Sequence, residues 1–244
     1  MTADSPNPFD ALRDAILRGV AHALSNRVAA LGGIAGLVDP GQVWTDKMSK
    51  ALHDEARRLG DVLRLLRLVP SDVRVEAGAV ELQPLIPDVV ALHAYNSVLL
   101  QVECAIEYNR EAMPVYGNRI QIVRALLLVI DAAKQHARTS SGRVVIRYTG
   151  DAERVRVEVG TEPSATPAAF STRPLPNGGV VAPTPSAGED GAPIGRELCL
   201  AIAKVAGDLP VEVEVENGAL RVVLTLPTLA AGRRAERGTR NAER

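Results

Sequence analysis

The fold is predicted from one stretch of the sequence, Gly19-Val20-Ala21-His22-Ala23-Leu24-Ser25-Asn26-Arg27-Val28. Around it, small and medium apolar residues recur in alternating steps of four and three, at Leu17, Ala21, Leu24, Val28, Leu31, Ala35 and Val38. This spacing is typical of a helix that packs along its length against other helices. With Ala21 and Leu24 on that apolar seam, His22 points away from it into solvent. An exposed imidazole can meet a partner protein, and its neutral nitrogen can act as a nucleophile.

A second amphipathic helix follows after a short turn. Asp39-Pro40-Gly41 ends the first helix, because proline disfavours helix in the residue before it and glycine tolerates turn conformations. We predict helices over about residues 8–38 and 43–68, and two long helices joined by so short a turn are antiparallel neighbours. The pair leaves one side of its seam uncovered, so we expect a second copy to complete a four-helix bundle in a homodimer.

The rest of the chain alternates shorter strand and helix patterns. The predicted fold class is α+β, with a long antiparallel helical hairpin at residues 8–69 followed by an α/β-sandwich domain at residues 70–227. We predict helices at 84–96, 118–137 and 194–206, and strands at 80–83, 98–108, 143–148, 154–159, 211–216 and 219–226. Residues 161–192, rich in Pro, Gly, Ser and Thr, are expected to form a long mobile loop, and residues 228–244 a disordered basic tail.

Composition excludes several classes of function. Lys and Arg number 28 and Asp and Glu 29, so a net charge of -1 gives no general attraction to nucleic acid or to an anionic membrane. Cys104 and Cys199 lie far apart, which fits neither a disulfide framework nor a metal site. The N-terminus lacks the pattern of a signal peptide, and no apolar run is long enough to insert into a membrane. We therefore expect a cytoplasmic protein.

The order of elements and three motifs together resemble the catalytic core of bacterial sensor histidine kinases. In that family, a dimerising helical hairpin carries the phosphorylated histidine and precedes an ATPase domain of the Bergerat type. The run from His22 to Asn26 is similar to the family's H-box, residues 125–134 to its N-box, and residues 198–226 to the closing helix and hairpin of the ATPase domain. The resemblance covers most of residues 10–227 and implies that response-regulator receiver domains are the partners.

Several positions depart from the catalytic pattern of the kinases. Ala23 replaces the acidic residue that helps to take the proton from the histidine, and Asp131 stands where an asparagine holds magnesium. Residues 160–164 lack the aspartate that reads adenine, and Glu197 and Cys199 replace glycines that let backbone amides approach phosphates. The resemblance therefore implies a degenerate ATPase domain that uses neither ATP nor magnesium as a cofactor.

What remains is a stripe on the first helix, which we call the histidine stripe: Arg18, His22 and Asn26, four residues apart, with Ser25 beside them. Arg18 can offset the charge of a phosphoryl group on His22, and Ser25 or Asn26 can donate hydrogen bonds to its oxygens. The prediction is a histidine phosphotransferase similar to those derived from kinases, with His22 carrying a phosphoryl group between receiver aspartates. The alternatives are a divergent active kinase, a pseudokinase scaffold that binds response regulators, and, for His22 alone, an ordinary surface histidine.

Asp131, within an apolar helix, is the second residue of interest. It is either a partly buried carboxylate that is capped by a backbone amide or by Lys134, which we favour, or a relic magnesium ligand. The other histidines, His53, His93 and His136, lack the surroundings of His22 and are interpreted as structural.

Overall fold

A computed structural model describes residues 8–36, 45–69, 76–107, 114–163, 194–207, 209–216 and 218–242. Nearly all of the predicted loop at 161–192 lies outside these residues. The architecture is α+β, as the sequence predicts. Its helices are α1 Pro8–Gly36, α2 Asp46–Leu66, α3 Leu82–His93, α4 Arg119–Ser140, α5 Ile194–Ala206 and α6 Leu229–Ala242, and a short 3-10 helix covers Ser97–Leu99.

The first two helices pack against each other. The hydroxyl of Thr45 caps the start of α2 by accepting a hydrogen bond from the backbone N–H of Met48 at 3.3 Å. An ion pair of 3.2 Å joins Arg27 on α1 to Glu55 on α2. Arg27 lies nine residues before the end of α1 and Glu55 nine residues after the start of α2, which is the pairing expected of antiparallel neighbours.

The strands form two sheets. They are β1 Gly78–Val80, β2 Cys104–Glu107, β3 Val115–Gly117, β4 Gly142–Gly150, β5 Arg154–Pro163, β6 Val211–Glu216 and β7 Ala219–Pro227. The main sheet has the order β2-β4-β5-β7-β6, in which only the β2–β4 pair is parallel, and β1 pairs with β3 in a small second sheet. Helix α4 packs across β4 and β5 and contacts α3 and α5, so it forms the centre of the core.

The base of the helical hairpin belongs to this same core. Phe9, Ile16 and Val20 on α1 are no more than 2% exposed, and they share one hydrophobic cluster with Val62 and Leu65 on α2 and with the residues of α3 and α4. Burying a large aliphatic side chain contributes on the order of 2 kcal/mol. The α1 helix is therefore anchored in the α/β part and does not stand apart from it.

The apolar seam that the sequence predicts is only partly the surface on which α1 packs within the chain. The buried stripe of α1 is formed by Phe9, Leu12, Ile16 and Val20, whereas Leu17 on the predicted seam is 36% exposed and Val28 is 60% exposed. Two apolar stripes therefore run along α1: the seam residue Leu24 packs against the core, while Leu17 and Val28 are left uncovered by the protomer itself.

The C-terminal segment differs from the predicted disordered tail, because residues 229–242 form α6. Buried Thr228 caps the helix, since its hydroxyl accepts from the N–H of Ala231 at 3.3 Å and donates to the carbonyl of Ala152 at 2.9 Å. Gly232 packs onto Tyr116 so closely that an added Cβ would lie 2.3 Å from that side chain. Capping and close packing hold a segment whose composition alone indicates disorder.

The predicted strand at 98–108 is also only partly correct. Its first residues form the 3-10 helix, and the strand β2 is limited to Cys104–Glu107. The short strand β3 was not predicted at all, because three residues show no alternation that sequence reasoning can use.

Candidate functional site

His22 is exposed on α1, as predicted, and has one hydrogen-bond partner among the residues that the structure describes. The side-chain nitrogen Nδ2 of Asn26, one helical turn further on, lies 3.2 Å from the Nε2 atom of His22. With the amide as donor, Nε2 carries the free electron pair of the ring and the proton sits on Nδ1. The i, i+4 spacing read from the sequence thus places an amide donor on the nucleophilic nitrogen.

The other two members of the predicted site are not in contact with His22. The hydroxyl of Ser25 donates to the carbonyl of Ala21 at 3.0 Å, so in this rotamer it bonds to its own helix. The exposed Arg18 has no hydrogen bond or ion pair with any residue in the described ranges. The structure therefore brings His22 and Asn26 together and leaves Arg18 as an unpaired cation one turn away on the same stripe.

A main-chain contact fixes α1 next to this stripe. At Gly19, three residues before His22, an added Cβ would lie 2.0 Å from the carbonyl oxygen of Tyr95. The Tyr95 side chain lies close enough to Arg27 on α1 and Asp61 on α2 to be affected by both charges. Burial raises the pKa of its phenol, Arg27 opposes that rise and Asp61 adds to it. The turn that follows α3 is thus packed against both helices of the hairpin.

Asp131 has side-chain partners that the sequence did not predict. One carboxylate oxygen accepts from His93 Nε2 at 2.9 Å and from Asn96 Nδ2 at 3.1 Å, and the other accepts from Gln135 at 2.5 Å. His93 is completely buried, and its Nδ1 has no partner in the described part of the chain, so the ring proton lies on Nε2 and is donated to Asp131. The prediction that a backbone amide or Lys134 caps this carboxylate is wrong.

Lys134 is itself buried, at 3% exposure, near Asp131 and Cys104. Burial lowers the pKa of its ammonium group, while the neighbouring Cys104 and Asp131 raise it. Burial raises the pKa of the Cys104 thiol to about 11, so this cysteine remains protonated near neutral pH. The sequence singles out Asp131 within its apolar helix, but nothing local pairs this residue with His93, which lies 38 positions away.

Residues 160–163, where the resemblance implies that the adenine-reading motif begins, are part of the sheet. Strand β5 continues to Pro163, opposite Gly142 of β4. Thr161 is buried at 8% exposure, and its hydroxyl accepts from the N–H of Leu220 on β7 at 2.9 Å. Glu162 pairs with Arg143 and Arg147 on β4, and the hydrogen bond from Arg147 is the main reason why its pKa lies below the ordinary value.

The described residues contain neither a cluster of metal ligands nor a helix that could span a membrane. No group of three or more His, Cys, Asp or Glu side chains is arranged to hold a metal ion within these ranges. No described helix combines the length and the apolar character needed to cross a membrane. The side chain of Glu197, which the sequence analysis placed at the second glycine-rich box, lies outside the described positions.

Comparison with known proteins gave matches only among solved structures. No protein family and no curated protein matches the sequence. The chain is similar to a histidine kinase from Burkholderia phymatum, with 16% identity, a TM-score of 0.44 and coverage of 92% of this chain and 99% of that one. It is similar to a structure described as a bacterial phosphotransferase, with 13% identity, a TM-score of 0.39 and coverage of 92% and 98%.

A third similar structure is the histidine kinase ThkA in complex with the response regulator TrrA. Its identity is 16% and its TM-score 0.41, and the match covers 93% of this chain and 68% of that one. With TM-scores of 0.39 to 0.44, these likenesses by themselves support no functional assignment.

Proposed function

We propose that this protein is a histidine phosphotransferase of a bacterial two-component phosphorelay. His22 accepts a phosphoryl group from the aspartyl phosphate of one receiver domain and passes it to the aspartate of another, without autophosphorylation from ATP. The observation that carries the proposal is the exposed imidazole of His22, whose Nε2 lies 3.2 Å from the amide nitrogen of Asn26.

The transfer needs no cofactor held by this protein, because the receiver domain supplies both the aspartyl phosphate and its magnesium ion. The electron pair on Nε2 attacks the phosphorus of the aspartyl phosphate, a bond forms between nitrogen and phosphorus, and the bond from phosphorus to the aspartyl oxygen breaks. The electrons of the broken bond leave with the carboxylate, and the imidazole retains its proton on Nδ1. The amide of Asn26, released from Nε2, and the guanidinium of Arg18 are then placed to stabilise the phosphoryl oxygens. The reverse reaction discharges the group to the second receiver.

The surroundings of Asp131 support a protein rather than ATP as the phosphoryl donor. Both oxygens of its carboxylate already accept hydrogen bonds, from buried His93 and Asn96 and from Gln135. A metal ion that displaced His93 and Asn96 from this carboxylate would leave two buried donors unpaired, which costs about 1–3 kcal/mol for each. Thr161 and the continuation of β5 to Pro163 are part of the sheet, at residues where the resemblance implies the adenine-reading motif.

The anchoring of α1 supports the same proposal. A kinase of this type must bring its nucleotide to the histidine, whereas here α1 shares a continuous core with α3 and α4 through Phe9, Ile16 and Val20. Separating these surfaces would expose several fully buried side chains, at on the order of 2 kcal/mol each. A carrier that waits for an incoming receiver needs no such movement.

The proposal includes a homodimer through the uncovered seam of the hairpin. Exposed Leu17 follows buried Ile16 on α1, and exposed Leu63 follows buried Val62 on α2. In both helices the exposed residue is turned by about 100° in the same sense from a buried one. A second hairpin that covers these exposed leucines on both helices completes a four-helix bundle.

Labelled phosphoryl transfer tests the proposal. The wild-type protein is incubated with labelled ATP alone and then with each labelled, phosphorylated receiver domain of the same organism. The expected result is no label from ATP and label from at least one receiver, in an acid-labile form that is lost in the His22→Ala variant. Label from ATP alone would establish a kinase instead. Binding of a receiver without any transfer would establish a scaffold.

A further inference from the structure

Two exposed apolar side chains lie just after the turn that contacts α1. Val98 is 67% exposed and Leu100 is 50% exposed, while Leu99 between them is buried at 2%. We infer, resting on the proposed function, that residues 95–100 form the second half of the receiver-docking surface, next to the histidine stripe. This stretch is called the 95–100 segment below.

The 95–100 segment is held in place on both sides. Buried Asn96 donates its side-chain amide to Asp131, and its backbone N–H donates to the carbonyl of His93 at 2.8 Å. The backbone N–H of Leu99 donates to the carbonyl of Asn96 at 3.2 Å, so the 3-10 helix continues directly from this anchor. The segment therefore presents Val98 and Leu100 from a fixed backbone, which lowers the entropy that a partner must overcome on binding.

The segment is also close to His22. The carbonyl of Tyr95 touches α1 at Gly19, and Gly19 and His22 are three residues, or about 4.5 Å, apart along the helix axis. Residues three apart are neighbours on one helix face. Val98 follows Tyr95 by three residues, which reach no further than about 11 Å.

A receiver domain that reaches His22 must cover this neighbourhood. A specific interface buries about 800 Å² on each partner, which corresponds to a disc of about 16 Å radius. A disc of that size centred on His22 includes the contact of Tyr95 with Gly19, where the 95–100 segment begins. The exposed Val98 and Leu100 follow on this segment, and in our proposal they supply the dry core that the charged and polar histidine stripe lacks.

A second copy of the chain is not the occupant of this surface. Gly19, where the segment touches α1, and Val28 on the apolar seam are nine residues apart, which is half a turn on the helix circumference. The seam proposed for the dimer therefore faces away from the 95–100 segment. The receiver domain is the partner that must approach on the histidine side.

The test is the double variant Val98→Ser and Leu100→Ser, measured with the receiver domain that phosphorylates the wild-type protein fastest. We expect its Kd for that receiver to rise at least about tenfold and kcat/KM of transfer to fall by a similar factor, because two apolar contacts are lost. Labelling of His22 by phosphoramidate, a small donor that needs no docking, is expected to stay at the wild-type rate. The matched control is Val215→Ser, which removes a 51% exposed valine from the far edge of the sheet.

An unchanged Kd in the double variant, or an equal loss of receiver affinity in the Val215→Ser control, would overturn the inference. Receiver-dependent labelling of His22 would still uphold the proposed function in either case. If no receiver labels the wild-type protein, the proposed function and this inference fall together. A selective loss in the double variant, with phosphoramidate labelling intact, supports the docking surface.

Discussion

The histidine stripe on α1 and the carboxylate of Asp131 on α4 are two polar sites that differ in exposure and in hydrogen bonding. His22 is exposed and its ring is contacted through one amide, that of Asn26. Asp131 is 14% exposed at its side chain and accepts hydrogen bonds from three side chains, two of them buried. A polar group whose bonds are all made internally contributes to folding, whereas one that is left open in a defined geometry is available to a partner.

The same contrast in exposure and hydrogen bonding separates the two positions that resemble kinase motifs, His22 in the predicted H-box and Asp131 in the predicted N-box. At the H-box position the local helix geometry is kept and the nucleophilic nitrogen faces outward. At the predicted N-box, the side chain of Asp131 takes part in a hydrogen-bond network that joins α4 to the end of α3 and the turn after it.

The His22→Ala variant is expected to lose transfer from a phosphorylated receiver by at least about 1,000-fold, because the attacking nitrogen is removed. Its free energy of unfolding is expected to stay within about 0.5 kcal/mol of wild type, since the side chain is exposed. Label transfer and urea unfolding measure the two quantities. The matched control is His53→Ala, since His53 is also exposed on a hairpin helix and has a partner four residues away, Arg57 at 3.3 Å. Equal losses in both variants would contradict the assignment.

The Asp131→Ala variant is expected to lower the free energy of unfolding by about 3 kcal/mol, because His93 and Asn96 would be left as buried donors without a partner. Urea unfolding followed by circular dichroism measures it. Asp131→Asn keeps part of the hydrogen bonding and is expected to lose less. A variant as stable as wild type would show that the network is not structural.

The Gly19→Ala variant is expected to lose about 1–3 kcal/mol, because the new methyl group would meet the main chain of Tyr95, which cannot rotate away. Gly32→Ala on the same helix is the control, since nothing lies within 4 Å of the position of its Cβ. There we expect a gain of about 0.5–1 kcal/mol from helix propensity. Thermal unfolding of both variants measures the pair, and equal shifts in the two would argue against the contact at Gly19.

The Glu162→Gln variant is expected to have the smallest effect, less than about 1 kcal/mol, since the ion pairs with Arg147 and Arg143 are partly exposed. The folded-state pKa of Glu162 is lowered from its ordinary value of 4.5. Its contribution is therefore present above pH 4.5 and is lost as the pH falls through the lower folded-state value.

The difference in unfolding free energy between wild type and Glu162→Gln should accordingly shrink on acidification below that pH. Glu81→Gln removes the same charge from a residue whose side chain makes no capping hydrogen bond, and it serves as the control. A difference that grows on acidification would contradict the assigned sign.

Sequence reasoning succeeded where a feature depends on near neighbours. Helix α5 and the hairpin of β6 and β7, with Gly218 at a φ of 75°, lie where local patterns predicted them. The pairing of His22 with Asn26 also follows from spacing alone, because one helical turn separates them. The hydrogen bonds of Asp131 with His93 and Asn96 and the contact of Gly19 with Tyr95 could not be predicted, since each joins segments that are far apart in the chain.

The sequence alone is enough to identify α1 as a long helix with an apolar seam and a polar stripe that contains His22. Helical periodicity is a local property, so it can be read without the tertiary structure. Only the tertiary structure decided which of the two apolar stripes of α1 is buried, since Ile16 and Leu17 differ by their neighbours and not by their chemistry. It also decided that the carboxylate of Asp131 is bonded internally while the imidazole of His22 is not. Burial and hydrogen-bond saturation are set by residues that meet only when the chain folds.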